Sequence, residues 1–468
     1  MPDIASSLVT KDTQLAPIPI ELVTTNDLEQ RPENEVNWAK ANGFKAKAGT
    51  LCLLAELDGA LSKILMGVGD NMPVASDPWW LAAAQEKLAP GVYEIINAPD
   101  DATLKAGAYG WAVASYQFDR YLSEPVDDPA VLMLPADIDR GAILQEANAT
   151  ALVRDLVNTP TDDLGPAELQ DAVEALAEEF DGSCSTIVGE DLLDENFPAI
   201  HAVGRAAAEG REPRLVDLKW GDENDPKITL VGKGVCYDTG GLDIKTGGFM
   251  RLMKKDMGGA ANAIGLARLI MMNGLKVRLR LLIPAVENAI AGNAYRPGDI
   301  IATRKGLSVE VGNTDAEGRI VLCDALALAC EEKPALLLDF ATLTGAARVA
   351  LGPDLPATYT NDDAVWAALE AGSKKVGDPL WRMPLWAPYD ESLTSPIADV
   401  CNISDSPMGG SITAGLYLQR FVEDDIKWVH VDLFSWNPKQ RPGRPKGGEA
   451  QAIRAAYSAI DQILSLDE

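Results

Sequence analysis

Residues 228–272 read ITLVGKGVCYDTGGLDIKTGGFMRLMKKDMGGAANAIGLARLIMM, and the succession of patterns in this stretch decides the fold class. Ile228–Val231 is a short apolar run of strand composition. Ala260 to Met272 carries helical periodicity and closes at Asn273-Gly274, where glycine supplies the left-handed residue that helix ends favour. A glycine-rich loop joins the two. The alternation continues downstream, with strands expected over Val277–Ile283 (ended by Pro284), Leu307–Val311, Ala335–Phe340 and Trp428–Phe434, and helices over Ile320–Cys330 and Ile412–Val422. Strands alternating with helices of this length indicate βαβ units around a mostly parallel sheet, in which ligands sit beyond the carboxyl ends of strands.

Working towards the N-terminus, residues 142–157 form one periodic segment that starts after Asp139 and stops before Asn158-Thr159-Pro160, which reads as a long helix. It separates a smaller N-terminal α/β domain (1–138) from a larger α/β/α domain (159–468), with 139–158 as the connecting helix. The first 135 residues mix short apolar runs with helical patches and contain no obvious site; the pair Trp79-Trp80 reads as packing.

Composition excludes several functions. The chain has 41 Lys and Arg against 70 Asp and Glu, a net charge of −29, so nucleic-acid and anionic-membrane partners are disfavoured. With only His201 and His430, a three-histidine zinc site cannot be built. No apolar stretch approaches a membrane span, and Met1–Ser7 lacks a basic, then apolar leader, which points to the cytoplasm. The six cysteines are scattered without a C-x-x-C pair and read as buried thiols. His430 on its apolar strand reads as a core group, and the basic run 438–446 (PKQRPGRPK) as a solvated loop.

The chemistry concentrates in two places. The loop after the 228–231 strand places Lys233, Asp238, Asp243, Lys245, Lys254, Lys255 and Asp256 among glycines, and its glycine spacing matches neither nucleotide-binding pattern. The second is Asn313-Thr314-Asp315-Ala316-Glu317-Gly318-Arg319, after the expected Leu307–Val311 strand. Taken alone, this second motif is also a plausible capped helix start. Placed at the ends of two strands of one sheet, however, the carboxylates converge, and like charges so close need a cation. Asp and Glu oxygens are hard ligands, able to hold two divalent ions that share an acidified water.

These stretches, VGKGVCYDTGGLDIKTGGFMRLMKKDMGGAANAIG (231–265) and VGNTDAEGRIVLCDALALA (311–329), together with NAYRPGDI (293–300) and ATLTGAARVALG (341–352), resemble the two-metal leucyl aminopeptidases, or cytosol aminopeptidases, of peptidase family M17. RDLVNTPTDDL (154–164) and GGSITAGLYLQRFV (409–422) add to the likeness. The resemblance implies that 159–468 is a catalytic metallopeptidase domain. It implies Lys233, Asp238, Asp256, Asp315 and Glu317 as ligands of two Mn²⁺ or Zn²⁺ ions, with Asp238 and Glu317 shared, Lys233 and Asp256 completing the tighter site and Asp315 the looser one.

By the same resemblance, a hydroxide bridging the metals attacks the first peptide carbonyl of a substrate with a free N-terminus. Lys245 and Arg319 are the catalytic residues, one for the oxyanion and one anchoring a bicarbonate ion. Met253, Asn313, Thr342, Leu343 and Gly345 bind substrate, and the assembly is a homohexamer. One departure stands out: where the family commonly has Asp-Ile-Ala-Gly after its last strand, this chain has Asp432-Leu433-Phe434-Ser435, which puts a bulky ring near the side-chain pocket. A two-metal phosphoesterase and a non-catalytic binding member are the rival readings.

Overall fold

The computed structural model describes residues 4–11, 16–123 and 128–465; the first three residues of the Met1–Ser7 stretch lie outside them. Two compact units emerge, one of Met1–Ala151, Lys374–Gly377 and Lys439–Lys446, the other of Leu152–Ser373, Asp378–Pro438 and Gly447–Glu468. The expected long helix runs Arg140–Asn158 (α1), and the division between units falls inside it.

The N-terminal unit is built on a six-stranded sheet, parallel except for the antiparallel edge pair Leu51–Ala55 and Leu61–Gly69. Trp111, Leu132 and Ile20 lie at the centre of its core. The 439–446 run is not the free solvated loop expected of it. Within this unit the Arg444 guanidinium lies 4.8 Å from the Trp79 ring centroid, and the Gly443 amide donates to Glu86 Oε1 at 2.8 Å.

The larger unit is organised by a nine-stranded sheet: β1 Ser183–Val188, β2 Arg214–Trp220, β3 Lys227–Gly232, β4 Gly234–Asp238, β5 Arg278–Asn288, β6 Leu336–Ala341, β7 Ala357–Thr360, β8 Trp381–Arg382 and β9 Trp428–Asp432. Their order is β8-β7-β9-β6-β3-β5-β2-β1, with β4 also on β5. The central run β9-β6-β3-β5 is parallel, β2 is antiparallel to both β5 and β1, and β7 is antiparallel to β9 but parallel to β8.

A parallel strand covered on both faces must be apolar on both, and β3 shows this: Ile228, Leu230 and Val231 are all fully buried. Helix α2 (Gly258–Met272) packs on β3 and β6, while α3 (Glu317–Glu331) belongs to the cluster that contains Val231, Leu282 and Leu337. The glycines that open α2 are required by its approach to the sheet. A Cβ on Gly259 would lie 2.2 Å from the Phe340 carbonyl oxygen.

Two strand expectations change. Pro284 does not end β5, which continues to Asn288; β2 pairs antiparallel on one side as far as Arg214, and β4 takes over the other side beyond β3. The 307–311 strand is shorter (Ser308–Glu310) and lies outside the main sheet, in a three-stranded sheet with Ile300–Ala302 and Val400–Cys401. The two acidic motifs therefore come from two different sheets.

Candidate metal centre

Both motifs nevertheless meet. Asp238 ends β4, and Asp315 and Glu317 stand at the start of α3; the three offer carboxylate oxygens that all lie within 4.8 Å of one another. Asp256 enters from the short 3₁₀ turn Met253–Met257 just before α2. Lys233, in the single-residue gap between β3 and β4, sends its Nζ to 2.8 Å from both Asp256 Oδ2 and Glu317 Oε1, and to 3.2 Å from the Thr342 carbonyl. Lys245 Nζ lies 2.8 Å from Asp238 Oδ2 and pairs with Asp315.

The local backbone makes room for this convergence. A Cβ on Gly318 would fall 2.8 Å from Lys233 Nζ, so the lysine passes over the first turn of α3 only because that residue is glycine. Gly240 sits at φ +87°, where a left-handed turn brings the Lys245 segment back across Asp238. The capping reading of the second motif fails: the N-cap of α3 is Ala316, with no side-chain cap, so Glu317 turns into the cluster.

Burial sets the electrostatics. Glu317 is 1% exposed, and burial followed by the charge of Asp238 pushes its carboxyl up to about 8. Burial and then Asp256 raise Asp238 to about 6. For the two lysines burial works against the charge but is outweighed, by Asp256 and Glu317 at Lys233 and by Asp238 and Glu317 at Lys245, so both are held above the ordinary lysine value. Burial also disfavours the Asp256 charge, yet Lys233 and Lys255 hold its carboxyl below the usual range.

The donor set fits divalent metal ions. It is all hard oxygen plus one amine, three of the carboxylates are almost fully buried, and Glu317 Oε2 has no hydrogen-bond partner among the described residues.

The expected substrate residues lie on segments that also reach this cluster. Met253 is buried in the 3₁₀ turn, and Thr342 donates its hydroxyl to Asp256 Oδ1 at 2.9 Å. The Leu343 amide donates to Asp432 Oδ1, and Gly345 opens helix α4 (Gly345–Leu351), exposed. The Asn313 side chain accepts from the Asp315 amide at 2.7 Å. Arg319, half-buried, donates through Nη1 to the Asn402 carbonyl at 2.5 Å, and burial lowers its pKa.

Sequence reasoning missed most of the residues that brace these groups; Asp243 was noted within the first motif but given no role. Asn288 Nδ2 donates to Asp238 Oδ1 (2.8 Å) and to the Thr314 carbonyl (3.0 Å), which also accepts from Tyr295 (2.6 Å). Asp243 accepts the Thr314 amide at 2.8 Å, tying the two motifs together. Asp432, at the end of β9, accepts the amides of Leu343 and Thr344 and the Thr344 hydroxyl. The signal of Asn288 and Asp432 was weak: each is a polar residue at a strand end, without the density of the two acidic motifs. His430 is the core group expected, fully buried and 2.5 Å from Asp339.

Comparison with known proteins places these features together. Residues 151–457 match the model of the cytosol aminopeptidase family, catalytic domain, and residues 18–135 that of the M17 aminopeptidase N-terminal domain. A protein of Syntrophotalea carbinolica named "Probable cytosol aminopeptidase" is 39% identical over 370 residues, covering 75% of this chain and 74% of its own. The crystal structure of a cytosol aminopeptidase from Coxiella burnetii superposes with a TM-score of 0.92 at 47% identity, covering 97% of this chain and 99% of the other. The bottromycin maturation enzyme BotP in complex with Mn follows at 0.86 and 31%, covering 97% and 100%.

Proposed function

Since this chain belongs to the cytosol aminopeptidase family and is a metal-dependent aminopeptidase acting on peptides, we propose that the Asp238–Asp256–Asp315–Glu317–Lys233 cluster is its catalytic centre and holds two divalent ions, Mn²⁺ or Zn²⁺. The observation that carries this is the meeting of buried carboxylates from two separate sheets around Lys233. Asp238 and Glu317 would be shared between the ions, Lys233 and Asp256 would complete one site and Asp315 the other. Lys233 must then bind as a neutral amine. Divalent ions held there supply a Lewis acid for the first peptide carbonyl, an anchor for a free α-amine and the acidity that activates water.

The remaining work falls to side chains. Lys245, kept protonated by its acidic neighbours, is the cation that steadies the oxyanion as the carbonyl becomes tetrahedral. Arg319 donates only through Nη1 among the described residues, which leaves guanidinium N–H groups to hold a bicarbonate ion. Met253, Thr342 and Gly345 line the pocket for the first side chain, with Asn313 and Leu343 beside it. The protein works in the cytoplasm as a homohexamer; the described residues contain no helix long and apolar enough to cross a membrane. Neither the phosphoesterase nor the non-catalytic reading finds support in the matches.

Hydrolysis of aminoacyl-anilides tests the assignment. EDTA abolishes cleavage and added Mn²⁺ or Zn²⁺ restores it, an N-acetylated substrate is inert, and light scattering gives the mass of six chains. Cleavage that survives prolonged chelation overturns the metal centre.

A further inference from the structure

Two cationic side chains beside the proposed pocket lack the acceptors that buried charge demands. Lys255 is 1% exposed, and its ammonium makes no hydrogen bond among the described residues. Its nearest carboxylate oxygen, Asp256 Oδ1, is 3.6 Å away, and Asp256 already pairs with Lys233 at 2.8 Å. The guanidinium of half-buried Arg348, on α4, makes neither a hydrogen bond nor an ion pair among the described residues, and its Nη1 is buried. Buried polar groups are normally satisfied, and buried cations more strictly so, because desolvation is recovered only through a partner.

Both cations converge on one ring. The Phe434 centroid lies 5.1 Å from Arg348 Cζ and 5.5 Å from Lys255 Nζ. The ring is itself held in place: the amides of Phe434 and Ser435 both donate to Gln451 Oε1, at 3.1 and 2.8 Å, and Ser435 adopts φ +52°. Each cation also borders a pocket residue. Arg348 Nη2 is 3.7 Å from where a Cβ on Gly345 would stand, and Lys255 approaches the same Asp256 oxygen that accepts the Thr342 hydroxyl. A ring face attracts a cation but offers it no hydrogen bond, so the donors stay unfilled.

On the assignment of Met253, Thr342 and Gly345 to the side-chain pocket, we propose that this pocket selects peptides whose first residue is acidic, Asp or Glu, its carboxylate received by Arg348 with Lys255 as a second donor. Phe434 walls the pocket, with both donors over its ring. A local pair of donors is needed for such a substrate, because the chain as a whole carries −29 and repels anionic peptides. A leucine side chain would instead leave both donors buried and unpaired, which is the arrangement that discriminates most strongly against an apolar competitor.

The test is kcat/KM of the Mn²⁺-loaded enzyme on the p-nitroanilides of Asp, Glu, Leu and Met, for wild type and for R348M, K255M and F434A. Wild type should favour the better acidic substrate over Leu by about tenfold or more, R348M should lower that ratio by at least about tenfold, and F434A should raise Leu and Met turnover. K255M adjoins Asp256, so its metal content and circular dichroism are measured first; if it fails to fold or load, R348M decides alone. A wild-type preference for Leu, or an acid-to-leucine ratio unmoved by R348M, overturns the acidic subsite. Absence of turnover on every anilide would instead overturn the aminopeptidase assignment of the site.

Discussion

Lys233 and Lys245 face the same carboxylates, and their surroundings separate their roles. Lys233 is sealed over the first turn of α3, with the carbonyl of Thr342 as its third neighbour; Lys245 reaches in from a loop and keeps some contact with solvent. K245A should therefore retain both metals by elemental analysis while kcat falls about 10²–10³-fold, the usual cost of removing one oxyanion donor. D256A should lose metal and activity together. Metal uptake itself depends on pH, with a sign that follows from the raised carboxyl of Glu317, about 8, and the raised amine of Lys233. Both must release a proton to bind, so affinity rises with pH, by about tenfold per unit for each proton displaced, and the slope eases above pH 8 as Glu317 ionises unaided. Calorimetry in buffers of different ionisation enthalpy counts those protons; affinity that falls with rising pH would contradict the ligand set.

Among the elements, the strands and helices of the central sheet were legible because their apolar periods are long and uninterrupted, as in Ile228–Val231 and Ala260–Met272. The strand through Pro284 was not: a proline lacks the donor of a ladder bond, and no local pattern reveals that β4 joins β5 beyond it. The placement of Ser308–Glu310 in a second sheet was equally hidden, since a three-residue strand carries no period from which to infer its partners. The acidic motifs were legible through their density, whereas braces such as Asn288 and Asp432 act through backbone groups distant in sequence. Asp432 shows how much such a brace carries. It is 2% exposed and accepts two amides and a hydroxyl at the entry to α4, so D432A leaves buried donors unpaired and should cost about 2–3 kcal/mol. Thermal unfolding measures that loss, and KM should rise because residues 342–345 loosen.

For the molecule as a whole, the excess of 29 negative charges first served to exclude partners, and it also favours accumulation of divalent cations near the surface. Stripped of metal by EDTA, the protein should keep its far-ultraviolet circular dichroism and recover activity within minutes of adding Mn²⁺, without a refolding step. Loss of secondary structure on chelation would show that the ions hold the fold. The reason for expecting persistence is the Lys233 ammonium lodged between Asp256 and Glu317. It does for the newly made chain what a temporary prop does for an arch: the acidic faces of two sheets can close before any ion arrives, and the incoming metal exchanges for a proton. Maturation would then fall into two independent events, so protein made in medium depleted of divalent metal should be folded and inactive, and should gain activity when the ions are supplied later.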